Sequence, residues 1–522
     1  MTTRWTVFLL SGLLLSSLLA GATGASASDK TDVVRDLAGR VGPVIGSALA
    51  CQDIARPRIQ VIIDKFATVI TAASSNEAER SDLVQLLDRT VANGRATVTS
   101  GQMDCRSADR QLADLERSIV RPALPPAIAP GSVAATGTLP TAAVPVVGPQ
   151  VHGVTDREIR FGISAAFTGP AKELGRQMKL GIDTAFNRAN EAGGVEGRML
   201  KLIAADDGNE PTRTLDAMKQ LYDKDEVFGI IGNVGTPTAA VAVPYALERR
   251  MLFYGAFTGA NVVRHDPPDR YVFNFRPSYA EETDAAVRYL VKMRRIPPRQ
   301  IAVFAQQDPY GDAGFAGVAK AFRALGVSDS FILRLNYARN TVDVDNAINQ
   351  LRIQRVPIKA VVMAAVYRAA ARFIEKTHDL YPDMIYTNVS GVGGTALANE
   401  LLLLGPRYAN GAIVTQVVPA VSGYSSAVLD YKNALAKYFP GEAPDYVSFE
   451  GFISANILIQ ALKRTGPQLD TEKLIDVLES MRDLDLGLGV PLGFGRAEHQ
   501  ASHKIWGTAL DESGKYQAIE LE

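Results

Sequence analysis

Hydrophobic positions along the chain fall into three regimes. In residues 30 to 121 they recur at helical spacing. Val61, Ile62, Lys65, Phe66, Val69 and Ile70 trace one face, Leu83, Leu86, Leu87 and Val91 another, and Leu112, Leu115 and Ile119 a third. Ser74-Ser75-Asn76 and Asn93-Gly94 read as turns between them. The expectation is a small antiparallel helical bundle. From Pro122 to Gln150 the periodicity vanishes into Pro, Ala, Val, Thr and Gly without a single charge, the composition of a partly extended linker.

After residue 155, short strand patterns alternate with amphipathic helices. Ile159, Phe161, Ile163 and Ala165 alternate as a strand. Leu174, Met178, Ile182 and Phe186 mark the face of the helix that follows. Further strands are expected at Leu200 to Ala204, Val227 to Ile231, Ile301 to Phe304, Ala360 to Met363 and Ile413 to Val417. Helices are expected between most of them, including Ala280 to Met293 and Phe315 to Leu325. Such alternation predicts α/β architecture: parallel sheets flanked by helices on both faces. The stretch is too long for one sheet of this kind, so two lobes are expected, with ligands bound at the seam beyond the strand ends.

The first residues change the compartment. Arg4, the apolar run Val7 to Ala20 and the small-residue pattern Ala25-Ser26-Ala27 read as a signal peptide cleaved after Ala27. The domain plan is therefore 1–27 signal peptide, 28–121 helical module, 122–150 linker and 151–522 two-lobed domain, with a periplasmic location. In an oxidising compartment Cys51 and Cys105 are expected to form a structural disulfide. A formal net charge of -1 over 522 residues gives no basic surface for nucleic acid or anionic membrane. Five histidines and two cysteines leave little material for a metal site, and no cofactor is expected. His499 and His503 are four apart, but Gly493 and Gly495 place them in a loop. Asp206-Asp207 point to opposite faces of a strand end and read as turn residues. No P-loop, GxSxG elbow or dinucleotide GxGxxG follows a strand, so an enzyme is unsupported.

Several loops carry a resemblance. Phe167-Thr168-Gly169-Pro170 follows the first strand, with Leu174-Gly175 opening the next helix. Asn190-Glu191-Ala192-Gly193-Gly194 leads through Arg198 to the strand ending at Asp206-Asp207. Ile230-Ile231-Gly232-Asn233-Val234-Gly235-Thr236, Phe253-Tyr254-Gly255-Ala256-Phe257-Thr258 and Asp308-Pro309-Tyr310-Gly311 follow in order. In this order and spacing the run, over roughly residues 155 to 520, resembles the leucine/isoleucine/valine-binding family of periplasmic solute receptors that serve ABC transporters.

The resemblance implies a type I periplasmic-binding fold, a small-molecule ligand and a membrane permease as partner. It implies that Thr236 and the loop Ala256, Phe257 and Thr258 hold a ligand carboxylate. A hydroxyl with free N–H groups at a helix start suits that chemistry, although the same hydroxyl can also cap its own helix. From the second lobe, Tyr310 and Tyr367 are the aromatic candidates for closing on the ligand. Ser390 stands where amino-acid-binding relatives typically carry an acidic residue that pairs with the ligand ammonium. That departure points toward a carboxylate without an amine, or an amide. Leu174, where some relatives place a larger aromatic, leaves extra room. The expected function is a solute-binding receptor of an ABC importer working by hinge closure. A sensor or scaffold that uses the helical module to bind a partner is the alternative, with an amide hydrolase a distant third.

Overall fold

The structure is a computed structural model and describes residues 27–120, apart from 52, 75 and 102, and residues 151–521. The expected signal peptide up to its last residue and the linker 122–150 lie outside the described residues. The chain divides into two units, each described by itself.

The first unit contains helices α1 (Ala27–Ala50), α2 (Arg56–Ala73), α3 (Glu77–Thr99) and α4 (Cys105–Val120). Asn76 starts α3 by accepting the Glu79 N–H at 2.9 Å, and Asp104 starts α4 by accepting that of Ser107 at 2.7 Å. Ile45, Ile62, Phe66, Ile70, Leu83 and Leu112 form the core. Cys51 and Cys105 form a disulfide between the end of α1 and the start of α4. Asn93-Gly94 is no turn, contrary to the sequence expectation, because α3 runs straight through it. The glycine serves packing instead. A Cβ at Gly94 would lie 2.1 Å from the Pro43 carbonyl oxygen, and one at Gly46 would lie 2.0 Å from that of Val91. Backbone against backbone, α1 and α3 touch more closely than side chains allow. Ser47 fastens the crossing with hydrogen bonds to the carbonyls of Pro43 at 2.9 Å and Gly94 at 3.1 Å.

The second unit begins with β1 (Glu158–Ala165), α5 (Lys172–Glu191), β2 (Met199–Asp206), α6 (Pro211–Lys219), β3 (Gly229–Ile231), α7 (Thr236–Glu248), β4 (Leu252–Tyr254) and β5 (Val272–Phe273). These strands make one parallel sheet in the order β2-β1-β3-β4-β5. Residues 274–278 then carry the chain into a second lobe of α8 (Tyr279–Arg288), β6 (Ile301–Gln306), α9 (Pro309–Ala324), β7 (Leu333–Tyr337), α10 (Asp345–Arg352), β8 (Ala360–Ala364), α11 (Tyr367–His378), β9 (Ile385–Asn388), α12 (Gly394–Leu404) and β10 (Ile413–Gln416). Every residue of β6 and β8 is buried, which explains their unbroken apolar runs.

Helices α13 (Ser426–Tyr438), α14 (Tyr446–Thr465) and α15 (Thr471–Ser480) follow, and α14 packs along α5, with Arg188 over the Phe452 ring at 4.8 Å. A last crossing leads to β11 (Trp506–Leu510) and β12 (Tyr516–Ile519), antiparallel strands that extend the second sheet to the order β12-β11-β10-β9-β8-β6-β7. The expected two-lobed type I periplasmic-binding architecture is thus present. The first and last crossings are bonded side by side: Asn274 N–H donates to the His499 carbonyl at 2.7 Å, Ala501 N–H to that of Asn274 at 2.9 Å, and Ser502 N–H to that of Phe275 at 3.1 Å.

Candidate ligand-binding site

The carboxyl ends of β3 and β4 place Thr236 and Thr258 next to each other. Thr236 is the first residue of α7, but its hydroxyl does not cap that helix. It pairs with the Thr258 hydroxyl at 2.7 Å, and both residues are buried. The first N–H groups of α7 have no intrahelical carbonyl to meet, so hydroxyls and helix dipole converge at one point. Arg264 fixes the neighbouring loop by donating to the carbonyls of Thr258 at 2.9 Å and Arg276 at 2.7 Å. Burial, followed by the nearby Arg276 charge, lowers the pKa of Arg264 to about 10.

Tyr310 faces this point from the second lobe. The Asp308 carboxylate accepts the Tyr310 N–H at 2.9 Å and starts α9 at Pro309, earlier than the apolar pattern suggested. The Tyr310 ring packs on that of Tyr279, centroids 5.3 Å apart, and its hydroxyl is buried without a hydrogen-bond partner. Burial holds both phenols above their ordinary pKa, so both stay protonated donors. A Cβ on Gly391 would lie 2.7 Å from the Tyr279 hydroxyl and 3.2 Å from that of Tyr310, so only glycine lets the two tyrosines close here.

Leu174, Thr236, Phe257 and Tyr310, all expected from sequence, line one cavity with Tyr279 and Gly391. Thr258 joins them through its bond to Thr236. The cavity holds about 20 Å³, little more than the space of one water. The cleft is therefore nearly shut. Leu174 presses against Gly393 across it, and the Tyr367 hydroxyl reaches the backbone of Glu173. On another side, Glu210 meets Arg339 at 2.9 Å and Asn340 at 2.5 Å. Beside the cavity opens a groove of about 880 Å³ that shares Thr236 and Tyr279 and is walled by Ala260, Val262, Ala313 and Ala316 together with charged residues of both signs, among them Glu281, Asp284, Asp312, Lys320 and Arg323.

Three expected residues sit elsewhere. Ala256 is buried in the first lobe and does not line the cavity. Tyr367 contacts the first lobe at the cleft edge rather than inside it. Ser390 is one residue removed from the cavity and engaged with charged groups: its N–H and hydroxyl donate to Glu282 at 2.7 and 2.9 Å, and it accepts a hydrogen bond from Arg276.

Sequence reasoning passed over Tyr279, Arg276, Glu282 and Glu450. The capping box that begins α8, Ser278 with Glu281, was the available signal for Tyr279. Arg276 is fully buried, its guanidinium stacked over Phe257 at 4.7 Å and Tyr279 at 5.7 Å. It lies 3.3 Å from Glu282 and 3.6 Å from Glu450. Desolvation raises the Glu450 pKa to about 7. Asp206 and Asp207 serve the turn after β2, accepting N–H groups of Phe167 and Asn209 at 2.8 and 2.9 Å. His499 stacks on Phe273 at 3.8 Å, while His503 meets Glu281 at 2.6 Å.

A family model described as periplasmic binding protein matches residues 158–515. A solved structure described as a possible leucine/isoleucine/valine-binding protein from Rhodopirellula baltica is 37% identical, with TM-score 0.67, covering 72% of this chain and 98% of that one. Leu/Ile/Val-binding protein BraC3 of Rhizobium johnstonii is 25% identical over 340 residues, 64% of this chain and 86% of that protein. A branched-chain amino acid ABC transporter protein from Thermus thermophilus with bound valine shares the fold at TM-score 0.61 and 18% identity, over 70% and 96% of the two chains. These relatives are binding proteins rather than enzymes. Among the described residues no helix is long and apolar enough to cross a membrane. The two sheets, the crossings between them and the matched region together make this chain a member of the periplasmic binding protein family, among the receptors of the leucine/isoleucine/valine-binding type.

Proposed function

We propose that this chain is the extracytoplasmic receptor of an ABC importer and captures a small carboxylate or amide-type solute by closing its lobes. The observation that supports this best is the paired hydroxyls of Thr236 and Thr258 at two strand ends, opposite the unpartnered hydroxyl of Tyr310. The first lobe supplies donors for an anionic or carbonyl oxygen, and the second supplies the wall that shuts over it. Tyr367 and Leu174 contribute contacts made only when the lobes meet, which gives a ligand the differential affinity that closure requires. The adjoining groove would take the body of the solute, and the closed form would dock on the permease. Residues 28–121 and 122–150 are then an appended module and its tether.

A thermal-shift screen of the mature chain tests the reading. A ligand at 100 times its dissociation constant stabilises the fold by about 2.7 kcal/mol. A shift with carboxylates or amides supports the receptor. A panel of acids, amides and amino acids that leaves the melting temperature unchanged refutes it.

A further inference from the structure

The charged groups beneath the cavity are the most unusual feature of the cleft. Arg276 is 0% exposed. Its Nη2 is committed to Ser390 and Glu282, while Nε and Nη1 make no hydrogen bond within the protein. The groups facing it are Glu282, Glu450, Arg264, Tyr279 and Tyr310. Of the two carboxylates, Glu282 is already saturated. It accepts from Ser390 N–H and Oγ, from Thr415 Oγ at 2.6 Å and from Arg276 itself. Glu450 stands 3.6 Å from Nη1 without a hydrogen bond to it. Between the guanidinium and the cavity stand the rings of Phe257 and Tyr279, both of which line that cavity. The positive charge is one ring's thickness from the ligand.

We propose that Arg276 sets the charge preference of the cleft, favouring a ligand that carries a carboxylate and no ammonium group. The proposal rests on the receptor reading and gives it a substrate class. An ammonium entering here would meet a buried guanidinium whose partner Glu282 is already saturated and whose neighbour Glu450 is drawn toward its protonated form by burial, an arrangement that is costly in a buried site. A carboxylate would instead lie in a field of the right sign, which acts on it across the Phe257 and Tyr279 rings. Glu450 tunes this preference: a carboxylate ligand favours its protonated form, so binding tightens as pH falls through about 7. A merely structural arginine would affect folding without discriminating between two ligands of the same skeleton.

The test uses matched pairs in titration calorimetry on the mature chain: leucine against 4-methylpentanoate, phenylalanine against 3-phenylpropanoate, and glutamate against glutarate. Each pair differs by one amino group. The expected result is at least one acid bound about tenfold or more tightly than its amino counterpart, and more tightly at pH 6 than at pH 8. Arg276→Gln abolishes that preference and Arg276→Lys keeps it. Should Arg276→Gln not fold, Glu450→Gln decides: it gives the acid its pH 6 affinity at pH 8. An amino acid bound better than its matched acid leaves the receptor standing and overturns the role of Arg276. So does a folded Arg276→Gln that keeps the preference, or a Glu450→Gln that keeps the pH dependence. Absence of binding in all three pairs overturns the proposal, and the receptor reading then stands or falls on the amides of the thermal-shift panel.

Discussion

The helical unit and the cleft of the lobed unit solve opposite problems. In the helices, glycines bring backbones together until no space is left, and Ser47 satisfies both neighbouring carbonyls. In the cleft, the hydroxyl of Tyr310 and two nitrogens of Arg276 are buried without a hydrogen-bond partner. A buried polar group left unmatched destabilises a fold. Unmatched buried atoms occur elsewhere in the lobed unit too, on Tyr254, Asn233 and Ser454 among others, but Tyr310 lines the cavity and Arg276 lies behind its rings, where a ligand can act on them. Close packing marks what must hold still, and an unmatched donor in a cavity wall marks where a ligand can bind.

That contrast can be broken or sharpened by measurement. The largest effect is expected from Cys51→Ala with Cys105→Ala. The bridge closes a loop of sequence separation 54, so its loss should cost the helical unit about 4 kcal/mol in the chain-entropy model. Calorimetry should show one transition moving down and that of the lobed unit unchanged, and movement of both would break the contrast. Gly46→Val should follow at about 3 kcal/mol, because its Cβ would meet the Val91 carbonyl oxygen at 2.0 Å. The same transition should move.

In the lobed unit the pH dependence carries the next effect. Glu450 has a raised folded pKa of about 7, so between its ordinary value and 7 the folded state binds more protons than the unfolded one. Stability from this group is present at low pH and falls as pH rises through that window, by about 3 kcal/mol. Glu450→Gln should flatten the slope in denaturant titrations from pH 4.5 to 8. Thr236→Ala removes the partner of the Thr258 hydroxyl and should weaken ligand binding about tenfold, while the helical transition stays in place. The smallest change is expected from Tyr367→Phe. Losing the hydroxyl that reaches the Glu173 backbone should speed ligand release about twofold in stopped-flow traces.

How much of this was legible follows from how locally each feature is encoded. Strands such as β1, β6 and β8 declare themselves in their own residues, and Thr236 and Tyr310 sit at helix starts whose loops are recognisable. The turn read into Asn93-Gly94 failed because glycine has two uses, and only the presence of Pro43 on α1 shows that this one makes room for a neighbour. β11 and β12 escaped notice because they add antiparallel strands to an edge long after the alternating pattern ends. Arg276 was invisible for a similar reason. Between Phe275 and Pro277 it looks like a surface residue of a connecting segment. Glu282, Ser390 and Glu450, which give it a buried environment, come from α8, the loop after β9 and α14. No window of sequence contains them together.

The bonds that join residues 274–275 to 499–502 bear on mechanics. Two chain crossings zipped into a ribbon cannot slide past each other without breaking those bonds, yet a ribbon bends easily across its thin direction. The lobes should therefore open about a single axis, like a book on its spine, with twisting suppressed. Capture then has one coordinate, and a pair of fluorescent labels spanning the two lobes would follow the whole event as a change in one distance. Any substitution that redesigns the walls for another solute would inherit that motion unaltered, so specificity and movement can evolve separately in this chain.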